Sequence, residues 1–591
     1  MCGIVACRTH APAMDYLLTA LRRLEYRGYD SVGVAVQTAG GDIARFRTTG
    51  RIAALEGIVG GWAGPALNGV GIGHTRWATH GPVTEDNAHP HSDCGGRISL
   101  VHNGIVEGAD RLRHALALSG HHFASEVDSE VLCHLIEDQL AISGDLYDAV
   151  QAALTPLTGS WAMAVLERGT GRVVVAAARS PLLIARTENG VFAASDIAAV
   201  ADWVEDFRVL DDGEVVEITA DIRVLNSHAV PSTARCGWAG RDAGLDGYVD
   251  HMAKEIDEQP AAATRVIDEY AGRIVNGSLW ADLGLPAFSR LQVLGCGTSL
   301  NAGQVIANVV RRVGRMPVTV TVASEAADEI IDPGSLCLAM SQSGETADLL
   351  SALSNREAGA PVLALTNSAH STLARKADAS MTCAAGPEIG VAATKTFVCQ
   401  VISGVALVLS ALVADGRLSN RSANLLVDEL RRIPDQLVAA GAVAKCVVPT
   451  LADELSSAGG FLFIARGSGL PYAAEGALKL KELTYRWAEH HPAGELKHGP
   501  LALVENGTPV IVIDNGDPRL SANVAEVETR GGRVIRIGAA GSTVPVVGRT
   551  VAPWGPLETV IPLQILARTM ALCLGCDVDK PRNLAKSVTV E

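Results

Sequence analysis

An internal repeat in the C-terminal half restricts the possible folds of this chain more than any other feature. Residues 291–299 read LQVLGCGTS, and residues 461–469 read FLFIARGSG, so that Gly297 matches Gly467. Each copy is an apolar run, a glycine-containing turn and then a helical pattern. Alternating strands and helices predict two α/β domains with parallel sheets. Duplicated units of this size are expected to face each other and to form a site between them.

The composition indicates a globular protein that avoids polyanions. The 591 residues predict three or four domains, and 48% hydrophobic with 19% charged residues is typical of a compact chain. The net charge of −16 repels nucleic acid and anionic membranes, so neither is expected as a partner. An anionic substrate must therefore be held by local groups.

Three further features indicate a cytoplasmic protein. No charged and apolar leader is present, and twelve scattered cysteines suit reduced thiols. The pair Cys573 and Cys576 has no second pair or nearby histidine, so it is not interpreted as a metal or redox site. The apolar run 396–414 has the length of a membrane span, but its polar interruptions favour a buried core helix.

The first residues carry a potential nucleophile. Cys2 follows Met1, and removal of Met1 would leave one residue with a thiol and a free α-amine. A cysteine thiolate is a strong nucleophile, and an α-amine with a pKa near ~8 can act as its base. A buried structural cysteine is the alternative.

The N-terminal half is predicted to consist of strand layers flanked by helices. Helical spacing covers residues 14–24, and Gly28 is expected to end that helix. Two more helices are predicted at 109–119 and 126–143. Short apolar strands are predicted at 32–36, 69–73, 98–101, 161–166, 173–178, 182–185 and 215–218.

Three polar clusters interrupt this apolar pattern. In residues 73–81, an arginine can bind a carboxylate at two points. In residues 102–105, an asparagine amide beside a glycine N–H can stabilise an oxyanion. In residues 125–130, an acid is available for an ammonium group, although Ser125 and Asp128 could equally form a helix capping box. Together these groups are what hydrolysis of the glutamine amide requires.

Residues 2–5 (CGIV), the Arg27-to-Asp30 run, Arg76-Trp77 and Asn103-Gly104 resemble the glutaminase domain of the N-terminal-nucleophile amidotransferases. The resemblance implies an αββα sandwich with Cys2 as the nucleophile.

The same resemblance implies the roles of the glutamine-site residues. Arg76 would bind the α-carboxylate of glutamine and Asp128 its α-ammonium group. Asn103 and Gly104 would form the oxyanion hole, and His80 would line the pocket.

The chain divides into four predicted segments. Residues from about 221 to 248 are polar, irregular and glycine-containing, which is typical of a linker. The helical stretch 251–260 resembles the segment that joins the two halves of glucosamine-6-phosphate synthases. The predicted segments are a glutamine amidotransferase domain at 2–220, a linker with its connecting helix at 221–282, a first sugar isomerase (SIS) domain at 283–430 and a second at 450–591.

The first repeat carries a candidate phosphate site. Its SQSGET motif lies where a strand runs into a helix, and hydroxyls with backbone N–H groups at a helix N-terminus bind anions. Serine and threonine also cap helices without any ligand. The motif resembles the phosphate loop of sugar isomerase domains. The candidate sugar-phosphate ligands of this domain are Thr298, Ser299, Ser341, Gln342, Ser343 and Thr346.

The second repeat carries candidate catalytic groups. Glu475, Lys479 and Glu482 are spaced to share one helical face. They could form a solvated ion-pair stripe, but the apolar residues between them favour burial, where charges need partners. His498 and the tail residue Lys586 match the pattern of the synthases.

Taken whole, the chain resembles the glutamine–fructose-6-phosphate aminotransferase (isomerising) family. The resemblance implies that Lys586 forms a Schiff base with fructose 6-phosphate, His498 assists ring opening and Glu482 moves a proton between C1 and C2. Lys479 would bind the sugar phosphate. Ammonia from L-glutamine would travel inside the protein past Trp77.

The product implied by the resemblance is glucosamine 6-phosphate, the first committed intermediate of UDP-GlcNAc synthesis. The family shares sites across a homodimer, so His498 could come from a partner chain. No metal or organic cofactor is implied.

Three alternatives are open. Another glutamine amidotransferase is disfavoured because no ATP-pyrophosphate loop or diphosphosugar motif is found and the sugar domains are duplicated. A non-catalytic sugar-phosphate sensor is disfavoured by Cys2 and Lys586. A paralogue that aminates another ketose phosphate is the third, because Ala393 and residues 486–492 depart from the family pattern.

Overall fold

The computed structural model describes residues 2–219, 234–236, 244–354, 360–546 and 552–589. The chain forms two compact units. One comprises Met1–Gly244 with Ala585–Glu591, and the other comprises Leu245–Leu584. Most of the irregular part of the predicted linker, residues 221–248, lies outside the described residues.

The N-terminal unit contains antiparallel strands and flanking helices. Its helices are α1 Ala13–Leu24, α2 Ile52–Gly60, α3 Ala109–Leu118, α4 Ser129–Ser143 and α5 Leu146–Leu154. Its strands are β1 Gly3–Thr9, β2 Ser31–Thr38, β3 Ile43–Thr49, β4 Leu67–Arg76, β5 His91–Ser92, β6 Ile98–Gly104, β7 Trp161–Glu167, β8 Val173–Ala178, β9 Leu183–Thr187, β10 Gly190–Ala194, β11 Asp206–Val209, β12 Glu214–Ile218 and β13 Ala234–Arg235.

These elements stack in four layers. One sheet has the order β13-β11-β9-β10-β1-β4-β2-β3 and the other has the order β12-β8-β7-β6-β5. Alternate residues of the strands, such as Ile4 and Ile72 facing Val101 and Ala164, fill the space between the sheets. Helix α1 packs on the outer face of the first sheet, and α4 and α5 pack on the outer face of the second. The predicted αββα sandwich is confirmed.

Gly28 does not end α1, and the sequence-based assignment of this cap is wrong. The helix ends at Leu24, followed by Glu25 in right-handed conformation. A Cβ on Gly28 would lie 2.7 Å from the carbonyl carbon of Arg76 and 2.8 Å from the backbone nitrogen of Trp77. Glycine is therefore required here because the backbone after β4 passes directly against it.

The C-terminal unit contains two parallel sheets of five strands. The strands of the first sheet are β14 Arg290–Gly295, β15 Val318–Val322, β16 Ser335–Ser341, β17 Val362–Thr366 and β18 Ala379–Thr382. Those of the second are β19 Gly460–Ala465, β20 Trp487–Pro492, β21 Pro509–Asp514, β22 Arg533–Gly538 and β23 Val544–Pro545.

The two sheets have the same topology. The orders are β15-β14-β16-β17-β18 and β20-β19-β21-β22-β23. In each sheet the second strand of the repeat lies at one edge, followed by the first, third, fourth and fifth strands. The matched glycines, Gly297 and Gly467, have φ of +51° and +53° at the turn after the first strand. The internal repeat and the parallel α/β fold are confirmed.

Helices cover these sheets and connect them. The predicted helical stretch 251–260 is the first part of α6, His251–Val275. The helices of this unit are α6 His251–Val275, α7 Ser278–Ala281, α8 Gly297–Val309, α9 Ala347–Ser354, α10 Thr372–Lys376, α11 Lys395–Ala414, α12 Asn420–Leu430, α13 Ile433–Leu455, α14 Leu470–Thr484, α15 Leu520–Thr529 and α16 Val560–Cys573.

The apolar run 396–414 forms α11 in the centre of this unit. Two helical segments, Lys395–Ala414 and Asn420–Leu455, are long and apolar enough by length and composition to cross a membrane. In Lys395–Ala414, which is α11, 89% of the most apolar 18-residue stretch is buried inside the fold. This helix packs mainly on α6 and α8. The prediction of a buried core helix is confirmed.

Candidate active sites

Cys2 lies at the start of β1, beside the end of the central strand β4. Gly3 pairs with Thr75, which brings Cys2 next to Arg76 and Trp77. The Cys2 Sγ accepts a hydrogen bond from the Trp77 N–H at 3.2 Å. Burial raises the pKa of the Cys2 thiol, and this N–H acts in the opposite direction. The thiol thus has a donor that can stabilise its thiolate.

The surroundings of Cys2 differ from those of a structural cysteine. Cys7, on strand β1 just after Cys2, is fully buried in the apolar core, and burial raises its pKa to about 12. Cys2 is only half-buried, and its carbonyl oxygen accepts from Asn103 Nδ2 at 3.1 Å and from Arg27 Nε at 3.3 Å. Arg27 is held in turn by Asp196 at 2.6 Å. These contacts hold the Cys2 backbone in one position.

His74 orients the Asn103 amide. The Nε2 of His74 lies 3.1 Å from Asn103 Oδ1 and 2.9 Å from the carbonyl oxygen of His102. Burial lowers the pKa of His74 to about 3, so the ring is neutral at physiological pH. Both neighbours are acceptors, so Nε2 must carry the proton. The Asn103 NH₂ group then faces Cys2. His74 lies in the 73–81 cluster, but sequence reasoning assigned it no role.

Gly104 completes this corner of the site. Its φ is +124°, and a Cβ would lie 2.2 Å from the carbonyl oxygen of Ser160. Only glycine fits this last position of β6, so Gly104 is required by backbone conformation.

Arg76 is a buried cation close to Cys2. It is 3% exposed, and its guanidinium donates to the backbone carbonyls of residues 80–82. Burial lowers the pKa of Arg76, while the charges of Cys2, Asp30 and Asp128 act to raise it. The positive charge at this position can therefore attract a substrate carboxylate.

Asp128 is held by a hydrogen bond to the loop after β6 and not by a helix capping box. Its Oδ2 accepts from the Val106 N–H at 2.7 Å, and its side chain makes no cap bond to α4. Ser125 instead donates its hydroxyl to Glu130 at 2.6 Å. The capping-box alternative is wrong because Glu130 binds the chain before the helix and leaves Asp128 facing the β6 end.

Trp77 and His80 lie in the loop after β4. The indole of Trp77 packs edge-on against Tyr29, with ring centroids 5.3 Å apart. Asp30 accepts from the Ala78 N–H at 2.8 Å, so the Tyr29-Asp30 run anchors this loop. The His80 side chain is exposed, and its backbone carbonyl binds Arg76.

The second candidate site, in the C-terminal unit, begins at the end of β16. Ser341 Oγ accepts from the Gly344 N–H at 2.9 Å and lies 2.9 Å from Thr346 Oγ1. Ser343 Oγ accepts from the Glu345 N–H at 3.1 Å. These bonds hold the loop before α9 in a compact turn of hydroxyl and N–H groups, the arrangement that binds anions.

Helices α8 and α14 bring the two repeats together. Glu475 of α14 accepts from Thr298 Oγ1 at 3.0 Å and from Asn301 Nδ2 at 2.9 Å, both on α8. Ser299 accepts from Gln400 Nε2 at 3.1 Å. The prediction that the duplicated domains face each other is therefore met by polar contacts between their first helices.

Lys479 lies between two carboxylates. Its Nζ is 2.6 Å from Glu482 Oε2 and 3.7 Å from Glu475 Oε1. Burial acts to lower the pKa of Lys479, but the two carboxylates outweigh it and the pKa is raised. Glu475 and Lys479 are 0% and 1% exposed. The alternative of a solvated ion-pair stripe is therefore wrong for this face of α14, because these charges are buried and paired.

Two predicted sugar-site residues lie outside this cluster. His498 is exposed at the end of a 3-10 helix, Ala493–His498, that follows β20. Lys586 is half-buried in the segment Ala585–Glu591, which groups with the N-terminal unit.

The departures from the family pattern lie in two places. Residues 487–492 form the edge strand β20, where Trp487 is 79% exposed. Ala393 is half-buried in the loop before α11.

The fold and the two sites define a class of protein, a glutamine amidotransferase joined to duplicated sugar isomerase domains. The glutamine amidotransferase domain family matches residues 74–202, and the SIS domain family matches residues 287–410 and 454–544. The chain is 40% identical over 618 aligned residues to glutamine–fructose-6-phosphate aminotransferase (isomerising) of Thermus thermophilus, and 40% identical over 635 to that of Mycobacterium tuberculosis.

Both alignments cover 100% of each chain. The solved C-terminal domain of glucosamine-fructose-6-phosphate aminotransferase from Francisella tularensis is 31% identical, with a TM-score of 0.51, and covers 57% of this chain and 100% of that domain. This chain belongs to the glutamine–fructose-6-phosphate aminotransferase (isomerising) family.

Proposed function

We propose that this enzyme transfers ammonia from L-glutamine to fructose 6-phosphate and isomerises the product to glucosamine 6-phosphate, with release of glutamate. One observation carries the proposal. The chain is 40% identical to such an aminotransferase over its full length. The Trp77 N–H that donates to Cys2 Sγ supports the same proposal.

The glutaminase half uses Cys2 as nucleophile. Its thiolate attacks the side-chain amide carbon of glutamine, and the oxyanion that forms is held by Asn103 Nδ2 and the Gly104 N–H. The α-amine of Cys2, free once Met1 is removed, accepts the thiol proton and returns it to the leaving nitrogen. Ammonia departs, and water then hydrolyses the thioester to glutamate.

Two charged side chains would select glutamine at this site. Arg76, in a buried position, binds the α-carboxylate, and Asp128 binds the α-ammonium group. His80 lies on the loop whose carbonyls now bind Arg76. The α-carboxylate of glutamine would replace those carbonyls as the acceptor of the Arg76 N–H groups. Binding of glutamine would therefore rearrange residues 80–82.

The sugar half uses the hydroxyl loop and the α14 charges. Ser341, Gln342, Ser343 and Thr346 hold the phosphate without an arginine cluster, in keeping with the acidic chain. Thr298 and Ser299 line the same side, and Lys479 adds a positive charge.

The amination then proceeds through an imine. Lys586 condenses with the ketone of fructose 6-phosphate and releases water, after His498 assists ring opening. Ammonia displaces the lysine, and Glu482 takes a proton from C1 and returns one to C2, which converts the ketose imine to the aldose amine. These steps require no metal or organic cofactor.

The cellular context and assembly follow from the same proposal. We propose a cytoplasmic homodimer in which His498 serves the partner's sugar site. The exposed position of His498 supports this role. The charge of −16 disfavours nucleic acid and anionic membranes as partners.

A side-by-side assay tests the proposal. The protein is incubated with glutamine and each of several ketose 6-phosphates, and the amino sugar is identified by mass spectrometry and chromatography. We expect fructose 6-phosphate to give the highest kcat/KM and glucosamine 6-phosphate as product. Glutamate without any amino sugar would overturn the proposal.

A paralogue acting on another ketose phosphate is the second candidate, supported by Ala393. Alanine there lacks a hydroxyl that the family usually has, and one hydrogen bond is worth only about 0.5–1.5 kcal/mol. We therefore expect a raised KM for fructose 6-phosphate, which Ala393→Ser should lower. A different ketose with higher kcat/KM would favour the paralogue.

A further inference from the structure

Four side chains with metal-binding atoms converge in the N-terminal unit, away from Cys2. They are Cys94, His121, His134 and Glu137, and their ligand atoms all lie within 4.8 Å of one another. Cys94 lies in the turn between β5 and β6, and His121 follows α3. His134 and Glu137 lie one turn apart on α4. Three separate segments thus meet at one point.

The distances match those of a tetrahedral metal site. The Cys94 Sγ lies 3.6 Å from His121 Nδ1 and 3.6 Å from His134 Nδ1. Zinc bonds of about 2.3 Å to sulfur and about 2.0–2.1 Å to nitrogen, at tetrahedral angles, separate the two ligands by about 3.5 Å. Glu137 Oε2 lies 3.0 Å from each of the same two nitrogens. A metal ion requires only small shifts of these atoms.

A carboxylate outside the cluster supports the tautomer of His121 that a metal needs. The Nε2 of His121 lies 3.0 Å from Asp138 Oδ1, within hydrogen-bond distance, whereas the Nε2 of His134 is buried 3.8 Å from Glu130 Oε1 and makes no hydrogen bond. A proton on the Nε2 of His121 directs its Nδ1 lone pair toward the shared centre. Metal-binding histidines usually donate their second N–H to a carboxylate in this way.

We propose that Cys94, His121, His134 and Glu137 bind one zinc ion. The thiol loses its proton to solvent as the zinc–sulfur bond forms, and both imidazoles bind as neutral ligands. A thiolate and two imidazoles favour zinc over magnesium or calcium, which prefer oxygen. Four protein ligands close the coordination sphere, so the ion is structural.

The ion has a defined role in the fold. It ties the turn before β6 to the loop between α3 and α4. Asn103 lies at the end of β6 and Asp128 at the start of α4, so both elements that carry these residues are held by the same ion. The pattern escapes sequence reading because intervals of 26, 12 and 2 residues separate the ligands, unlike the short paired spacings of zinc motifs.

Metal content of the full-length protein tests the proposal without reference to activity. Protein from zinc-supplemented cells is desalted and analysed by inductively coupled plasma mass spectrometry. We expect about one zinc ion per chain. Cobalt added to metal-stripped protein should produce a thiolate-to-cobalt charge-transfer band and the intense visible bands of tetrahedral cobalt. Protein without zinc that also lacks the thiolate band would overturn the proposal.

Variants locate the site. Cys94→Ala should abolish the cobalt–thiolate band, and Asp138→Asn should weaken zinc binding by about 10–100-fold. Cys446→Ala, which removes another exposed cysteine, is the matched control and should retain the metal. If Cys94→Ala does not fold, His121→Gln removes one of the four ligands and should lower the zinc content of the purified protein. Equal metal loss in the Cys446 variant would overturn the assignment.

Discussion

The Nε2 of His74 lies 3.1 Å from the Oδ1 of Asn103, and this contact determines which end of the amide faces Cys2. The ring is fully buried and neutral, so its N–H is present at any pH at which the enzyme works. Without it, the amide could turn its oxygen toward the developing oxyanion. His74 is therefore a positioning residue for the proposed oxyanion hole.

His74→Phe should reduce glutamine hydrolysis through kcat. Loss of one oxyanion donor typically costs about 10²–10³ in kcat. The KM for glutamine should change little, because Arg76 and Asp128 are untouched. His74→Gln offers a replacement N–H and should restore part of the rate. Steady-state kinetics of glutamate release measure kcat and KM. An unchanged kcat in His74→Phe would contradict the positioning role of His74.

The N-terminal unit should lose stability in mild acid. Burial lowers the pKa values of His74 and His91 to about 3, and His89 and His102 are shifted in the same direction. A depressed folded-state pKa contributes stability that is present above the unfolded value of about 6.5 and is lost as the pH falls toward about 3. His74 alone accounts for about 1 kcal/mol between pH 6.5 and 5.5.

Urea-induced loss of glutaminase activity, measured at these two pH values, tests this dependence. We expect a lower midpoint at pH 5.5. His91→Gln should flatten the dependence, whereas His114→Gln, at an exposed position, should leave it as it is. Equal midpoints at both pH values would contradict the prediction.

Cys2→Ala should abolish glutamine hydrolysis and leave sugar-phosphate binding intact, because Cys2 lies in the N-terminal unit and the proposed phosphate loop at Ser341–Thr346 lies in the C-terminal unit. Cys7→Ala is a control that removes a thiol from the adjoining strand β1. Intact-mass measurement should show that active protein lacks Met1. Glutaminase activity in the Cys2 variant, or active protein that retains Met1, would contradict the nucleophile assignment.

Borohydride should trap fructose 6-phosphate on Lys586. Lys479 is paired with Glu482 at 2.6 Å and its pKa is raised, so it is a poor amine nucleophile. Peptide mapping identifies the labelled lysine. Lys586→Arg should prevent labelling, and Lys481→Arg should not. Label on Lys479 or Lys481 would contradict the assignment to Lys586 and would place the imine-forming lysine on α14.

Trp77→Ala should uncouple the two proposed reactions. The indole packs on Tyr29, and its backbone N–H, which binds Cys2, remains in the alanine variant. Glutamine hydrolysis should therefore continue while ammonia escapes to solvent. The ratio of glutamate to amino sugar measures this escape. A ratio that stays at one to one would exclude Trp77 as the gate.

Local patterns predicted much of the fold. Continuous apolar runs and helical spacing identified α1 and β8 nearly to the residue, and the repeat at Gly297 and Gly467 predicted the paired sheets. The strands β1, β3, β5, β10, β11 and β13 of the N-terminal unit were missed. β5 and β13 have only two residues each, and β3 (IARFRTT) carries two arginines and two threonines, so these three lack a continuous apolar run.

The sequence by itself determined the residue types that the proposed chemistry needs, namely Cys2, Asn103, Gly104 and the SQSGET loop, because each lies at one end of a strand whose apolar pattern is local. Tertiary structure alone decided which residues meet. Packing of the two sheets brings His74 of β4 to Asn103 of β6. Packing against the β4 end explains Gly28, and contacts over 40 residues or more join Cys94 to His134 and Thr298 to Glu475. Hydrogen bonding and burial depend on three-dimensional neighbours, which no local period in the sequence encodes.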